Sequence, residues 1–314
     1  MKDEAKSNTK STVQKWSAAK CENLYFDIPD EWTCLKAKGP GPFVTKALLK
    51  NPEGNSISWI SRHYRKHHFR LDRSVGSTWW APGAIGWWIG ILFSVGAICF
   101  ATGAIPDYLN FVGNDYDSLT FFIGSLFFTT AAFLQYLETI NTPHDPLDGM
   151  TEKFRLFSLE PRRIDWIASV VQFGGTLLFN ISTFEALRTD LLVSQINHLV
   201  WVPDAYGSVC FLVASSLVWM EIGNTILSWN PRSIPWGIGA LNLIGSIFFG
   251  ISAVGAFVLP DTGLPLNIFL VNMGTFAGGI CFLFGAILLL PERTHENMVK
   301  DKQIINPKQY KSLN

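Results

Sequence analysis

The most regular feature of the chain is a series of six apolar stretches that follows a polar N-terminal region. They cover residues 84–105, 118–140, 164–187, 204–226, 236–259 and 266–290, so that each holds 22 to 25 residues. At about 1.5 Å per residue, such a helix crosses the roughly 30 Å hydrocarbon layer of a bilayer. A core helix of a soluble protein would show a polar stripe, which these stretches lack. The pattern predicts an all-α polytopic membrane protein with six transmembrane helices.

The apolar stretches also divide the chain into parts. The predicted parts are a polar N-terminal region that is partly disordered (1–80), three helical hairpins (84–140, 164–226 and 236–290) and a polar tail (291–314). Residues 56–69 favour an interfacial helix, with an edge strand as the alternative. Prolines lie outside the predicted spans or at their edges, as expected where lipid cannot replace a lost backbone hydrogen bond.

Lys and Arg are distributed unevenly between the two sides of the predicted membrane. With the N-terminus inside, the inner segments near the membrane carry fifteen of these residues, whereas the outer loops carry Arg188 alone. The positive-inside rule therefore predicts that both termini are cytoplasmic. The sequence does not identify which membrane the protein occupies.

Composition agrees with a membrane protein. Charged residues make up 16% of the chain, against about 25% in soluble domains. The 25 Lys and Arg are balanced by 25 Asp and Glu, which gives no case for a nucleic-acid partner. The basic segment 62–73 predicts contact with anionic lipid headgroups, and a protein partner or a homo-oligomer is compatible with the sequence. The five cysteines form no CxxC pair and predict neither a disulfide framework nor a zinc site.

One motif recurs in all six spans: a glycine is followed four residues later by phenylalanine and seven residues later by a small residue. The pairs are Gly96/Phe100, Gly124/Phe128, Gly175/Phe179, Gly207/Phe211, Gly245/Phe249 and Gly278/Phe282. These positions share one helix face, and two small residues one heptad apart let another backbone come close. We therefore predict packing seams in a bundle of three repeated hairpins with pseudo-threefold character. A ligand or lipid pocket built from the phenylalanines is the alternative.

The first hairpin resembles a known family. Residues 87–96 and 123–138 resemble the YrhK-like domain of multi-pass membrane proteins, and residues 61–66 resemble a stretch of its longer members, with Tyr64 where a histidine is expected. The resemblance covers about residues 84–140. It implies a multi-pass membrane protein and supplies no reaction.

The second helix of each hairpin carries a glutamate fourteen residues after its glycine: Glu138, Glu221 and Glu292. Two heptads place each glutamate on the glycine face, roughly 21 Å further along, at the predicted cytoplasmic end. Three interpretations stay open. The carboxylates form an acidic ring that attracts cations, or a latch that pairs with the basic segment 62–73, or solvated groups paired with neighbours such as Arg293 or Arg232.

A few amides are the main polar groups deep in the spans. Gln172, Asn180, Asn242 and Asn272 predict interhelical hydrogen bonds, with a path for a neutral solute as the alternative. No span contains His, Lys or Arg, which does not favour a proton-coupled or charge-moving machine.

No catalytic, cofactor-binding or metal-binding motif accompanies these groups. We therefore expect no catalytic residue, cofactor or metal, and interpret the chain as a non-enzymatic membrane scaffold or partner-binding component. A channel or facilitator for a small neutral or cationic solute is the alternative, and a membrane enzyme comes third. A path lined by the amides would favour permeation, whereas an axis closed by the six phenylalanines would favour the scaffold.

Overall fold

The computed structural model describes residues 16–28, 30–68, 79–142, 154–223 and 229–303, without the side chains of residues 67, 68 and 293–303. Within these ranges, six helices have the length and hydropathy needed to cross a membrane. The prediction of an all-α polytopic protein with six spans is therefore confirmed. The small amount of sheet in the described residues lies before the first span.

The elements fall into an N-terminal group and a membrane group. The first contains β1 (Thr33–Lys38), β2 (Lys46–Lys50), β3 (Ser56–Ile60) and α1 (Ser61–His68). The second contains α2 (Ile85–Gly103), α3 (Pro106–Val112), α4 (Asn114–Ile140), α5 (Ile164–Glu185), α6 (Val193–Gln195), α7 (Val202–Gly223), α8 (Ile234–Ala256) and α9 (Ile268–Gln303). A π-helical segment, Ile196–Trp201, joins α6 to α7. Residues 56–69, where helix and strand were alternatives, divide between β3 and α1, with residue 69 outside the described ranges.

The last helix is longer than the predicted sixth span. Helix α9 continues through Pro291, which the sequence analysis places at the edge of the span. A proline inside a helix removes one backbone hydrogen bond. Here the lost bond falls at the end of the apolar stretch, beside buried charged groups, so lipid does not have to replace it.

A three-stranded antiparallel sheet folds around its own small core before the membrane group. The strand order is β1-β2-β3, and Ala37 pairs with Ala47, which pairs with Trp59. Phe26, Val44 and Leu49 fill the core beside these residues. In β1, Ala37 is buried between the partly exposed Lys36 and Lys38, and a register shift between Cys34 and Lys36 interrupts the strand.

Cys21 and Cys34 form a disulfide, so the prediction of no disulfide is wrong at this position. Their Cα atoms are 5.9 Å apart, within the range that a disulfide requires. The 3₁₀ turn Ala19–Asn23 packs against β1 and brings the two cysteines together. The number and spacing of the cysteines do not indicate that this turn packs against β1, and the pairing was therefore missed. Cys99, Cys210 and Cys281 are free.

The six long helices form a closed ring. Helices α2 and α4, α5 and α7, and α8 and α9 pack as antiparallel neighbours in sequence. Helices α4 and α5, α7 and α8, and α9 and α2 pack between these pairs. We call the end of the bundle next to α1 the proximal end, and the opposite end, near α3 and α6, the distal end.

The six motif glycines face one another in pairs within the ring. A Cβ atom placed on Gly124 would lie 3.2 Å from the carbonyl oxygen of Gly96, and one placed on Gly175 would lie 3.2 Å from that of Gly207. The same distance, 3.2 Å, separates such an atom on Gly245 from the carbonyl oxygen of Gly278. Each pair therefore places two backbones in contact, which lets helices associate without a hydrophobic driving force.

The residue after each glycine is small, buried and turned toward the neighbouring pair of helices. These residues are Ala97, Ser125, Thr176, Ser208, Ser246 and Gly279. Ser125 Oγ lies 2.9 Å from Thr183 Oγ1, and Ser246 Oγ donates a 3.2 Å hydrogen bond to the carbonyl oxygen of Phe211. The glycine thus serves contact within a pair of helices, and the following residue serves contact between pairs.

Two adjacent glycines of α5 allow a matched test of this packing. Leucine at Gly175 is expected to destabilise the bundle, because a Cβ there would lie 2.8 Å from Cys210 Cβ and overpacking costs about 1–3 kcal/mol or more. Leucine at Gly174 is expected to have little effect, because no atom lies within 4 Å of a Cβ at that position. The measurement is the thermal unfolding midpoint of each purified variant in detergent. Equal midpoints for the two variants would contradict the packing described above.

Candidate functional site

A layer of six phenylalanines closes the axis of the ring at mid-height. Phe100, Phe179 and Phe249 contact one another with ring centroids 5.7 to 6.2 Å apart. Phe128, Phe211 and Phe282 form a second triangle with centroids 5.8 to 6.2 Å apart. Each ring of one triangle also contacts a ring of the other at 5.1 to 5.3 Å. We call this trigonal prism of buried rings the Phe layer.

Cavities lie on both sides of the Phe layer. The distal cavity has a volume of about 240 Å³ and is bounded by Phe100, Phe179 and Phe249. The proximal cavity has a volume of about 50 Å³ and is bounded by Phe128, Phe211 and Phe282. A cavity of the smaller size holds a few water molecules at most. The Phe layer therefore separates two spaces on the same axis.

The short helix α1 lines one side of the proximal cavity, and its cations meet the three predicted glutamates. Arg62 forms two hydrogen bonds with Glu292, of 2.7 and 3.1 Å. Lys66 donates a 2.5 Å hydrogen bond to Glu138. The carboxylates of Glu138, Glu221 and Glu292 come from three different pairs of helices and are only 1 to 3% exposed. This arrangement corresponds to the latch interpretation, in which the glutamates are paired with the basic segment.

Arg65 lies at the centre of the cluster and joins two carboxylates. Its guanidinium donates hydrogen bonds of 3.1 and 3.3 Å to Glu221 and one further bond to Asp165. Ser61 donates another, of 3.1 Å, to Glu221. Asp165 is held from its other side by Arg163, at 2.8 and 3.2 Å. Four cations (Arg62, Arg65, Lys66 and Arg163) thus face four carboxylates (Glu138, Asp165, Glu221 and Glu292), and we call these eight residues the ion cluster.

Electrostatics keeps the guanidinium groups of the ion cluster charged although they are buried. Burial by itself would lower the pKa of Arg62, but the carboxylate of Glu292 more than offsets it, so the pKa lies above its ordinary value. The pKa of Arg65 is likewise raised, because Glu221 and Asp165 outweigh its burial. The pKa of Arg163 is also raised, because the carboxylate of Asp165 outweighs the effect of burial. The three guanidinium groups therefore stay charged beside their carboxylate partners.

The ion cluster also connects the sheet to the bundle. The guanidinium of Arg163 lies 5.2 Å from the centroid of the Tyr25 ring, close enough for a cation–π contact. Tyr25 packs edge-on against Trp59 of β3, and burial raises the pKa of its hydroxyl. Because α1 follows β3 without a break, the sheet, α1 and the proximal end of the ring form one continuous contact.

The four predicted intramembrane amides do not line one path. Gln172 and Asn242 line the proximal cavity. Asn180 instead accepts a 3.1 Å hydrogen bond from Thr129, between α4 and α5. Asn272 lines a separate cavity near the distal end. A central path lined by all four amides is therefore absent among the described residues.

Sequence reasoning missed some members of the ion cluster. Asp165 stands directly before Trp166, at the start of the third apolar stretch, and its signal was a carboxylate next to Arg163 at a predicted membrane boundary. The cations of α1 were included as parts of the basic segment 62–73, predicted to contact lipid or to pair with the glutamates as a latch, and were not assigned individual partners. That predicted lipid contact stays a prediction: Arg62, Arg65 and Lys66 engage carboxylates, and residues 69–73 lie outside the described ranges. The side chain of Arg293, a suggested partner, also lies outside them.

These features define a polytopic membrane protein with a closed axis and a docked N-terminal domain. Comparison with known protein families, with curated proteins and with solved structures finds no match to this chain.

Replacing Arg65 with glutamine tests the structural weight of the ion cluster. We expect Arg65→Gln to lower the free energy of unfolding by about 3–5 kcal/mol, because it leaves Glu221 and Asp165 buried with too few partners. The exposed Arg232 provides the control, since Arg232→Gln is expected to stay within about 0.5 kcal/mol. Thermal and denaturant unfolding of the purified proteins measure both. Equal small effects of the two substitutions would contradict the described geometry.

Proposed function

We propose that the protein is a non-enzymatic membrane anchor, in which a closed six-helix bundle holds the N-terminal sheet domain in a fixed orientation at one membrane face. The observation that carries this proposal is the ion cluster, in which one short helix is bound by carboxylates from all three pairs of spanning helices. A domain held in this way presents a constant surface to a partner protein.

The closed axis supports an anchor over a permeation path. Each phenylalanine of the Phe layer is at most 8% exposed. A hydrophobic constriction of this kind excludes water and ions. The amides that would line a neutral path are divided among separate places in the bundle.

The chemistry of the ion cluster supports a role in orientation. Apolar residues of similar volume often stabilise a protein as well as a buried ion pair does, so such pairs are weak devices for stability. In some proteins they fix one arrangement, because a misplaced charge stays buried and unpaired, and we propose that role for the ion cluster. Three carboxylates on three pairs of helices accept α1 in a single register, with Arg62, Arg65 and Lys66 each facing its own partner.

We also propose that the three pairs of helices are repeats of one hairpin unit. The shared glycine and phenylalanine positions support this, and so do the same glycine-to-glycine contact in each pair and the triangular contacts of the Phe layer. The tryptophans add to it, since the indoles of Trp87 and Trp166 both donate to the carbonyl oxygen of the residue eight positions earlier. The resemblance of residues 84–140 to the YrhK-like domain is compatible with such a unit and adds no activity.

A gated cation facilitator is the second candidate. It is favoured by the two cavities that lie in line on either side of the Phe layer. Release of α1 would leave Glu138 at the wall of the proximal cavity and would remove the cations that pair with Glu221 and Glu292. Such a set of carboxylates attracts cations. In this alternative, α1 is a plug and the Phe layer is a gate.

Liposome flux separates the two candidates. The full-length protein and the triple variant Arg62→Gln, Arg65→Gln, Lys66→Gln are reconstituted, and fluxes of potassium, methylammonium and glycerol are measured. For the anchor, we expect both proteins to match empty liposomes, because the Phe layer closes the axis without α1. We also expect faster chymotrypsin cleavage near Trp59 and Tyr64 in the triple variant, because α1 is no longer held.

The outcomes of this experiment are distinct. Flux through the wild-type protein or the triple variant would overturn the anchor as the function, and flux in the triple variant alone would support the plugged facilitator. Unchanged cleavage would contradict the role of the ion cluster in docking. The variant Arg232→Gln, prepared in parallel, controls for loss of a positive charge at an exposed site.

We further propose that the proximal end is cytoplasmic. The fifteen-to-one distribution of Lys and Arg supports this orientation, whereas the disulfide between Cys21 and Cys34 is of a kind that persists mainly in oxidising compartments. The two signals oppose each other, and we give more weight to the charge bias because it draws on all the loops.

An epitope tag at the C-terminus tests this orientation. In a eukaryotic host, we expect antibody to reach the tag when the plasma membrane alone is permeabilised with digitonin, and not in intact cells. Under this orientation we also expect Cys21 and Cys34 to react with a maleimide in freshly lysed cells without reductant, because the cytosol keeps thiols reduced. A tag that is reached in intact cells, or only after full detergent solubilisation, would reverse the assignment.

A further inference from the structure

The loops and helix ends at the distal end of the bundle carry more acidic than basic residues. Seven carboxylates lie in its loops and helix ends: Asp107, Asp115, Asp117, Glu185, Asp190, Asp204 and Asp261. The only Lys or Arg in the same segments is Arg188, which is already paired with Glu185 and Asp190. Such a surface attracts cations.

Two cavities open into this end. The distal cavity against the Phe layer contains Asp204 and Trp201. A second cavity of about 200 Å³ lies between α2, α3, α4 and α9 and contains Asp117. The two cavities share lining residues, among them Phe121 and Thr275, so they adjoin.

Asp117 is the unusual group in the second cavity. It is 9% exposed, and its Oδ1 atom is buried without a hydrogen-bond partner among the described residues. A buried carboxylate without a partner is costly. Among the described residues, those that line this cavity supply the oxygens of Asn272 and Thr275 but no cation.

The position of Asp117 near the start of α4 does not explain why its carboxylate is buried. A carboxylate in the first turn of a helix is stabilised by the helix dipole, and both Asp115 and Asp117 belong to the first turn of α4. Asp115 meets this role from an exposed position. Asp117 lies instead on the face that lines the cavity, where its Oδ1 atom has no hydrogen-bond partner within the described part of the chain.

We infer that the cavity containing Asp117 is a binding site for a small organic cation with an ammonium group. Asp117 supplies the charge, and the oxygens of Asn272 and Thr275 can accept N–H donors. Leu109, Phe121 and Val271 supply apolar walls for the alkyl part, and an aromatic ring favours a cation close to its face. An inorganic divalent ion would require about six to eight oxygen ligands, more than this set offers.

Binding at this site does not require the Phe layer to open. The proposed site is therefore independent of both candidate functions. An experiment that finds no binding at this site would leave the anchor proposal unchanged.

The test uses the purified full-length protein in detergent and n-butylammonium as the probe. We expect n-butylammonium to raise the thermal unfolding midpoint in a saturable way, and 1-butanol or potassium chloride at equal concentrations to leave it unchanged. The variant Asp117→Asn is expected to unfold at an equal or higher temperature without ligand, because it relieves an unpaired charge. Its affinity for n-butylammonium is expected to fall by about tenfold or more.

Asp115→Asn is the matched control, since it removes a carboxylate two residues away on the exposed side of the same helix. It is expected to bind the probe like the wild-type protein. The inference is overturned if the wild type shows no saturable shift, if 1-butanol produces the same shift, or if the two variants lose affinity equally. A fold defect of Asp117→Asn would appear as a lower midpoint without ligand and would also contradict the inference.

Discussion

Close approach between helix backbones is the constraint on which the rest of this structure depends. Lipid tails are as apolar as the side chains they surround, so helices associate through tight packing and interhelical hydrogen bonds. The six glycines provide that packing, and the small residue after each of them extends it to the next pair. Once the backbones are in contact, the phenylalanine one turn further along each helix meets its counterparts on the axis. The ring and its closed centre are therefore one consequence of a single local geometry.

The same periodicity explains why the glutamates converge. A residue two heptads from the contact point stays on the same face of its helix, so α4, α7 and α9 bring Glu138, Glu221 and Glu292 to one end of the ring. Three buried carboxylates without partners would be strongly destabilising. The cations of α1 remove this penalty and at the same time fix how the N-terminal domain sits on the membrane part. The same ion pairs therefore compensate the buried charge and orient the domain.

The two ends of the bundle differ in how their buried carboxylates are compensated. At the proximal end, four cations and the carboxylates that they contact compensate each other inside the protein. At the distal end, Asp117 and Asp204 line adjoining cavities without a cation among the described residues. Burial of charge has to be compensated in either case. At the proximal end the compensating cations belong to the same chain. At the distal end we propose that a bound organic cation compensates the carboxylates.

The sequence by itself determined the six spans, the pairing face marked by Gly96 and its equivalents, and the position of the three glutamates, because these follow from hydropathy and helical period alone. Only the tertiary structure decided that α1 docks on those glutamates, that Asp165 joins them, and that Cys21 meets Cys34. These contacts join segments far apart in the chain or depend on how a turn packs, and no local period encodes such distances. The membrane imposes its length and hydropathy requirements on each helix separately, whereas the contacts between helices form only in the assembled ring.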